Sequence, residues 1–89
     1  MMGHVVALDF GATSGRVILG EVARDHLRMS THGRFANRPV SVNGRLHWDV
    51  LSLWQGALDG LAAALREAPD VSSIATDTWG VDYGLLRNG

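Results

Sequence analysis

Cysteine and lysine are both missing from this 89-residue chain, and each absence removes a class of chemistry. Without cysteine there is no disulfide framework, no thiolate nucleophile and no thiolate zinc site, a composition that suits a reducing cytoplasm. Without lysine there is no Gly-Lys-Ser/Thr motif, which excludes a Walker A loop. The eight cationic side chains are therefore all arginines; against nine acids they leave a net charge of -1 and no broad basic field. Neither nucleic acid nor a membrane surface is expected as a partner. No apolar run approaches the roughly 18 residues of a membrane-spanning helix, and no basic-plus-apolar leader is visible, so a soluble, cytoplasmic protein is the expectation. Two prolines and no low-complexity stretch leave no obvious linker. What remains, 46% hydrophobic and 19% charged, is the composition of one small globular domain.

The most informative stretch is Asp9-Phe10-Gly11-Ala12-Thr13-Ser14-Gly15-Arg16. It lies between Val5 to Leu8 and Val17 to Leu19, runs too short and too β-branched for helices, so it should connect two strands. Gly11 and Gly15 can adopt positive φ and let the backbone approach an anion, while Thr13, Ser14 and Arg16 offer donors suited to phosphate oxygens. Asp9, closing the first strand, is placed to hold Mg²⁺ directly or through water. A dinucleotide fingerprint is excluded, because the Gly-x-Gly-x-x-Gly spacing is missing and no helix follows. On this pattern alone an ordinary Gly-rich hairpin turn is the alternative.

Downstream, Leu27 to Phe35 reads as a third strand, making an antiparallel meander, and Asn43-Gly44 suits a type I′ turn. Asp49 is a good N-cap for the one clear helix, with Trp48 stapled onto Leu53. Val50, Leu53, Trp54, Ala57, Leu58, Leu61 and Leu65 recur at helical spacing and are expected to form a core-facing stripe; Pro69 ends the helix. Gly56 and Gly60 weaken the helix and are expected to permit close approach to the sheet. Val71 to Ala75 reads as a fourth strand, parallel to the first after a helical crossover. Tyr83 to Leu86 reads as a further strand leading into an Asn88-Gly89 turn. The histidines His4, His26, His32 and His47 show no close metal-ligand spacing and no acid partner arranged for a relay, and Glu21, Glu67 and Asp70 read as solvated. The fold class is α/β: a partial actin-like, ribonuclease-H-like ATPase domain of three-stranded meander, crossover helix, parallel fourth strand and the start of a hairpin. In it Asp9 and the Thr76 to Gly80 segment border one crevice.

The Asp9 to Arg16 loop resembles the phosphate motif of the FGGY carbohydrate kinases. Asp77-Thr78-Trp79-Gly80-Val81-Asp82-Tyr83 is similar to the corresponding segment of the rhamnulokinase subfamily, and Gly44 to Val50 is similar to the stretch that precedes its first helix. The resemblance covers essentially all 89 residues.

The resemblance implies that Gly11, Ala12, Thr13, Ser14, Gly15 and Arg16 contact the phosphates of ATP and that Asp9 lies near Mg²⁺. Many family members carry threonine where this chain has Ala12, which removes one hydroxyl donor, although the subfamily also has alanine there. Gly80 matches a sugar-contacting glycine. Trp79 would lie against an apolar sugar face, or pack beneath the loop; Asp77 and Asp82 would accept sugar hydroxyls, or cap a tight turn. The implied reaction is transfer of the γ-phosphoryl of ATP to L-rhamnulose, giving the 1-phosphate. The catalytic base and the adenosine pocket are expected downstream, so residues 1–89 read as the truncated N-terminal part of the first, sugar- and phosphate-binding domain, with no second domain. Such a piece is expected to be inactive and to self-associate through unpaired strand edges. Two alternatives are a kinase of the same family for another ketose or polyol, and a non-enzymatic actin-like nucleotide- or sugar-binding module.

Overall fold

Alternating apolar residues mark strands within positions 3–36, and the computed structural model, which describes residues 3–89, pairs them as a meander. Strand β1 (Gly3–Phe10) runs antiparallel to β2 (Ser14–Val22), and β2 antiparallel to β3 (Leu27–Ala36). A small separate hairpin follows, β4 (Val40–Val42) with β5 (Arg45–His47), turned by Asn43 and Gly44 at φ 51° and 76°. Both angles are positive, as a type I′ turn requires. Helix α1 (Val50–Glu67) then crosses to β6 (Val71–Thr78), which lies parallel to β1 and completes a mixed sheet of order β3-β2-β1-β6. The expected meander, crossover and parallel fourth strand are all present.

Helix α1 begins as its sequence dictates. The Asp49 carboxylate accepts a hydrogen bond from the Ser52 N–H at 3.1 Å, satisfying one of the free donors of the first turn. Trp48, the residue expected to staple onto Leu53, stands edge-to-face with Trp79, ring centroids 5.1 Å apart. The helix ends at Glu67, with the N–H of Ala68 donating to the carbonyl of Ala64.

The broad core stripe expected on α1 is not what the fold buries. Val50, Trp54, Leu58 and Leu65 are exposed, Trp54 at 63%, and the buried helix residues are Ala57, Gly60 and Ala64. Small residues win because the helix lies almost in contact with the strands: a Cβ added to Gly60 would stand 2.4 Å from Val17, and one added to Gly33 would stand 2.8 Å from the Gly60 Cα. The expected close approach at Gly56 and Gly60 is therefore present, with Phe35 filling the space beside Gly56. The core is correspondingly small, Val6, Val17, Leu19, Ala64 and Ala68, with Leu8, Phe35, Leu61 and Val71 packed around it. A radius of gyration of 15.7 Å, against about 12 Å for a compact chain of this length, matches that limited core.

Strand alternation sorts the remaining side chains. Val6, Leu8 and Phe10 of β1 face α1; Val5, Ala7 and Asp9 point to the other side. The strand expected over Tyr83 to Leu86 does not form: residues 79–86 have no regular structure, and none of the described strands pairs with them.

Candidate functional site

The charged residues of the site meet at the carboxyl end of β1. Register places Asp9 opposite Arg16 on β2 and opposite Asp77 on β6, so the three side chains form one row across three strands on the face away from α1. The Arg16 guanidinium donates to Asp9 Oδ2 at 2.5 Å. That bond, seconded by one from Asp77, holds the Asp9 carboxyl below the usual carboxylate range. Asp77 moves the other way: hydrogen bonding with Asp9 and the repulsion of its charge push the Asp77 carboxyl up. As pH falls, the Asp77 side of the pair takes up a proton first.

Because β6 continues through Thr78, Asp77 is a strand residue, and the turn-capping role offered for it does not apply. Its placement beside Asp9 is a consequence of parallel pairing, which aligns residues 68 positions apart. Two adjacent carboxylates are a fit for a hard divalent cation that draws its other ligands from phosphate and water, which is how Mg²⁺ is usually held. Among the described residues no cluster of three acidic or imidazole groups adds a further ligand.

The connection Gly11-Ala12-Thr13 leaves Ala12, Thr13 and Ser14 exposed, where a ligand can reach them. Its N–H at Gly11 donates to the Ser14 carbonyl at 2.8 Å. The two glycines work differently from expectation: neither Gly11 nor Gly15 has positive φ. Gly15 is required by packing, since a Cβ there would stand 2.3 Å from the Phe35 ring, which sits under the loop and edge-on to Phe10 at 6.0 Å. Gly15 therefore clears space for an aromatic floor, whereas a Cβ at Gly11 would stand 2.9 Å from the Ser14 carbonyl oxygen.

Across from this loop, Trp79 is half-buried and Gly80 turns the chain out of β6 with φ 73°, a left-handed conformation. Trp79 joins Phe10, Val50, Leu53, Trp54 and Thr78 around an apolar depression on the α1 side of the sheet end. A second, smaller depression is lined by Thr78, Trp79, Gly80 and Asp82. The sequence-selected residues thus divide into a charged row on one face and a tryptophan-lined pair of depressions at the same end of the sheet.

Two features escaped sequence reasoning. Asn37 is buried and donates through Nδ2 to the Gly11 carbonyl at 2.9 Å, while its N–H donates to the Thr13 carbonyl at 2.9 Å. Nothing local marks it, since its partners lie more than twenty positions away. His4 lies between two acids: Nδ1 is 2.9 Å from the Asp70 carboxylate and Nε2 is 3.6 Å from Glu21. Contact with His4 holds the Asp70 carboxyl below its ordinary value. Pairing of β1 with β2 and β6 creates this cluster, which lies at the opposite end of the sheet from Asp9.

No protein-family model matches the chain. Curated proteins do. The chain is 40% identical over 86 residues to a rhamnulokinase of Bacteroides thetaiotaomicron and 43% identical over 91 residues to one of Pectobacterium atrosepticum. A rhamnulokinase of Mannheimia succiniciproducens is 39% identical over 89 residues. Each match covers 97% of this chain and 18% of the relative, so the chain spans less than a fifth of the length of the curated proteins it resembles.

Proposed function

From a chain related to rhamnulokinases over nearly all of its length, we propose that this segment forms the phosphate- and sugar-facing edge of an ATP-dependent ketose kinase of the FGGY family, acting in the cytoplasm. The domain it opens is read as actin-like, of the ribonuclease-H-like class, on the strength of the mixed sheet with its meander and parallel fourth strand. The single observation that carries the reading is the row Arg16, Asp9 and Asp77 beside an exposed loop with free hydroxyl and amide donors.

In this reading Gly11 to Arg16 receive the phosphates of ATP, and Asp9, with Asp77 alongside, holds Mg²⁺. When bound, the metal neutralises charge on the phosphates. Arg16, paired to Asp9 in the free protein, has further guanidinium donors for an anion and keeps the Asp9 carboxyl ionised. Gly80, Trp79 and Asp82 face the sugar, with the open side of Gly80 letting a hydroxyl reach main chain: nothing lies within 4 Å of where its Cβ would be. The proposed reaction moves the γ-phosphoryl of ATP to the 1-hydroxyl of L-rhamnulose, with ADP leaving. No residue of this segment is assigned the role of base for the hydroxyl proton.

The test is turnover by the full-length protein carrying this segment, with Mg-ATP and a panel of ketoses and polyols. Highest kcat/KM on L-rhamnulose supports the proposal. Preference for another ketose corrects the substrate, and binding of sugar and nucleotide without turnover removes the kinase reading.

A further inference from the structure

The exposed loop between β1 and β2 is gripped from beneath by a residue outside its motif. Asn37, directly after β3, is only 4% exposed and is the one buried polar residue among the described ones. It makes two hydrogen bonds to the loop, from Nδ2 to the Gly11 carbonyl and from its N–H to the Thr13 carbonyl, both 2.9 Å. The loop adds one of its own, Gly11 N–H to the Ser14 carbonyl.

Peptide geometry gives these contacts a consequence. A trans peptide is planar, with its carbonyl and the next N–H pointing in opposite directions. The Gly11 carbonyl shares a peptide with the Ala12 N–H, and the Thr13 carbonyl shares one with the Ser14 N–H. By holding both carbonyls, Asn37 turns both of those amides away from itself. Ala12 is exposed, and none of the described residues accepts a hydrogen bond from its N–H.

Nδ2 is committed to the Gly11 carbonyl, which can only accept, and no described residue donates to Asn37 Oδ1. We propose that Asn37 is a positioning residue: its side chain, by gripping the Gly11 carbonyl, presets the Ala12 amide toward the phosphates of ATP, while its N–H, a bond that any residue but proline makes there, steadies the Thr13 carbonyl. This rests on the reading of the loop as the phosphate site. Preset donors bind without first ordering the loop.

The test uses the full-length protein and reads ATP binding directly by calorimetry, separately from turnover. Asn37→Ala should weaken ATP about tenfold, equivalent to about 1.4 kcal/mol, and leave sugar affinity unchanged. Asn37→Asp, which sets a carboxylate oxygen against the Gly11 carbonyl, should weaken ATP at least as much. Amide exchange supplies a readout that a general loss of stability does not imitate. The Gly11 N–H should lose protection about tenfold in Asn37→Ala, while amides of the β1–β2 core keep theirs. Weakened ATP binding in these variants of a protein that phosphorylates no sugar would still support the role of Asn37 while removing the kinase reading. Unchanged ATP affinity in both variants, equal weakening of sugar and ATP, or no ATP binding by the unaltered protein would overturn the proposal.

Discussion

Replacing Gly60 by alanine sets two physical effects against each other with opposite sign. On helix propensity alone the change stabilises α1 by about 1 kcal/mol. At the crossing with the sheet, however, the new methyl would stand 2.4 Å from Val17 Cγ2, 2.8 Å from Val17 Cβ and 3.3 Å from the Gly33 Cα. Val17 is fully buried and β-branched, so no swing of a flexible tip relieves the contact. The helix must lift, and overpacking of this kind costs about 1–3 kcal/mol. We expect Gly60→Ala to lose up to about 2 kcal/mol net, and for a domain of this size each kcal/mol lowers Tm by roughly 4–8 °C. A double-mutant cycle removes the ambiguity. Val17→Ala alone should cost about 1.5–3 kcal/mol for the lost burial. In the double variant the methyl introduced at position 60 enters the vacated space, so the two losses should fall short of additivity by at least about 1 kcal/mol. Urea denaturation followed by far-UV circular dichroism measures all four corners. A gain in stability from Gly60→Ala alone, or strict additivity in the cycle, would refute the close crossing of α1 over β2 and β3.

Asp49→Ala removes the side-chain acceptor of the Ser52 N–H and should cost about 1 kcal/mol in the same denaturation assay, whereas an unchanged midpoint would contradict the cap. Carboxyl titration by nuclear magnetic resonance should place Asp9 below and Asp77 above the ordinary aspartate value. The sign follows: the stabilisation from Asp9 is present above its unfolded value and lost as pH falls through its depressed folded value. The penalty at Asp77 sets in as pH rises through its raised folded value. In Arg16→Ala the Asp9 titration should move up, since the Arg16 hydrogen bond is the largest cause of its depression; an unmoved Asp9 would contradict the pairing. His4→Ala should likewise raise the Asp70 titration, and an Asp70 that stays low would show that His4 is not its partner.

What could be read in the sequence was local. The Asp49 cap, the Asn43-Gly44 turn and the strand periods depend on residues a few positions apart, and all stand in the structure. The close helix-sheet approach was also legible, because two glycines in an otherwise good helix need a reason. The identity of the buried helix face was not. Periodicity marks an apolar stripe but not which part of it the sheet covers, and the tight Gly60 crossing buries alanines while Trp54 stays outside. Tyr83 to Leu86 has a strand's composition but pairs with no described strand, and composition alone does not supply a partner. In the candidate site, the Asp9 to Arg16 loop and Asp77 were recognisable by motif, whereas Asn37 and the His4 contacts arise from strand pairings that join distant positions. Neither Gly11 nor Gly15 takes the positive φ that glycine allows, and the Phe35 ring that explains Gly15 belongs to a strand twenty residues on.

The central claim is that one end of the sheet carries phosphate recognition at Arg16 and sugar recognition at Gly80. Steady-state kinetics of the full-length protein with ATP and L-rhamnulose, comparing Arg16→Ala with Gly80→Val, test it most directly. Removing the Arg16 donors should lower kcat/KM for ATP by at least about tenfold, the scale of one charge-assisted hydrogen bond, with KM for the sugar little changed. A β-branched side chain forced to φ 73° at Gly80 should instead raise KM for L-rhamnulose and spare ATP. If Arg16→Ala leaves ATP handling intact, or Gly80→Val alters ATP alone, the division of the site between its two substrates is contradicted.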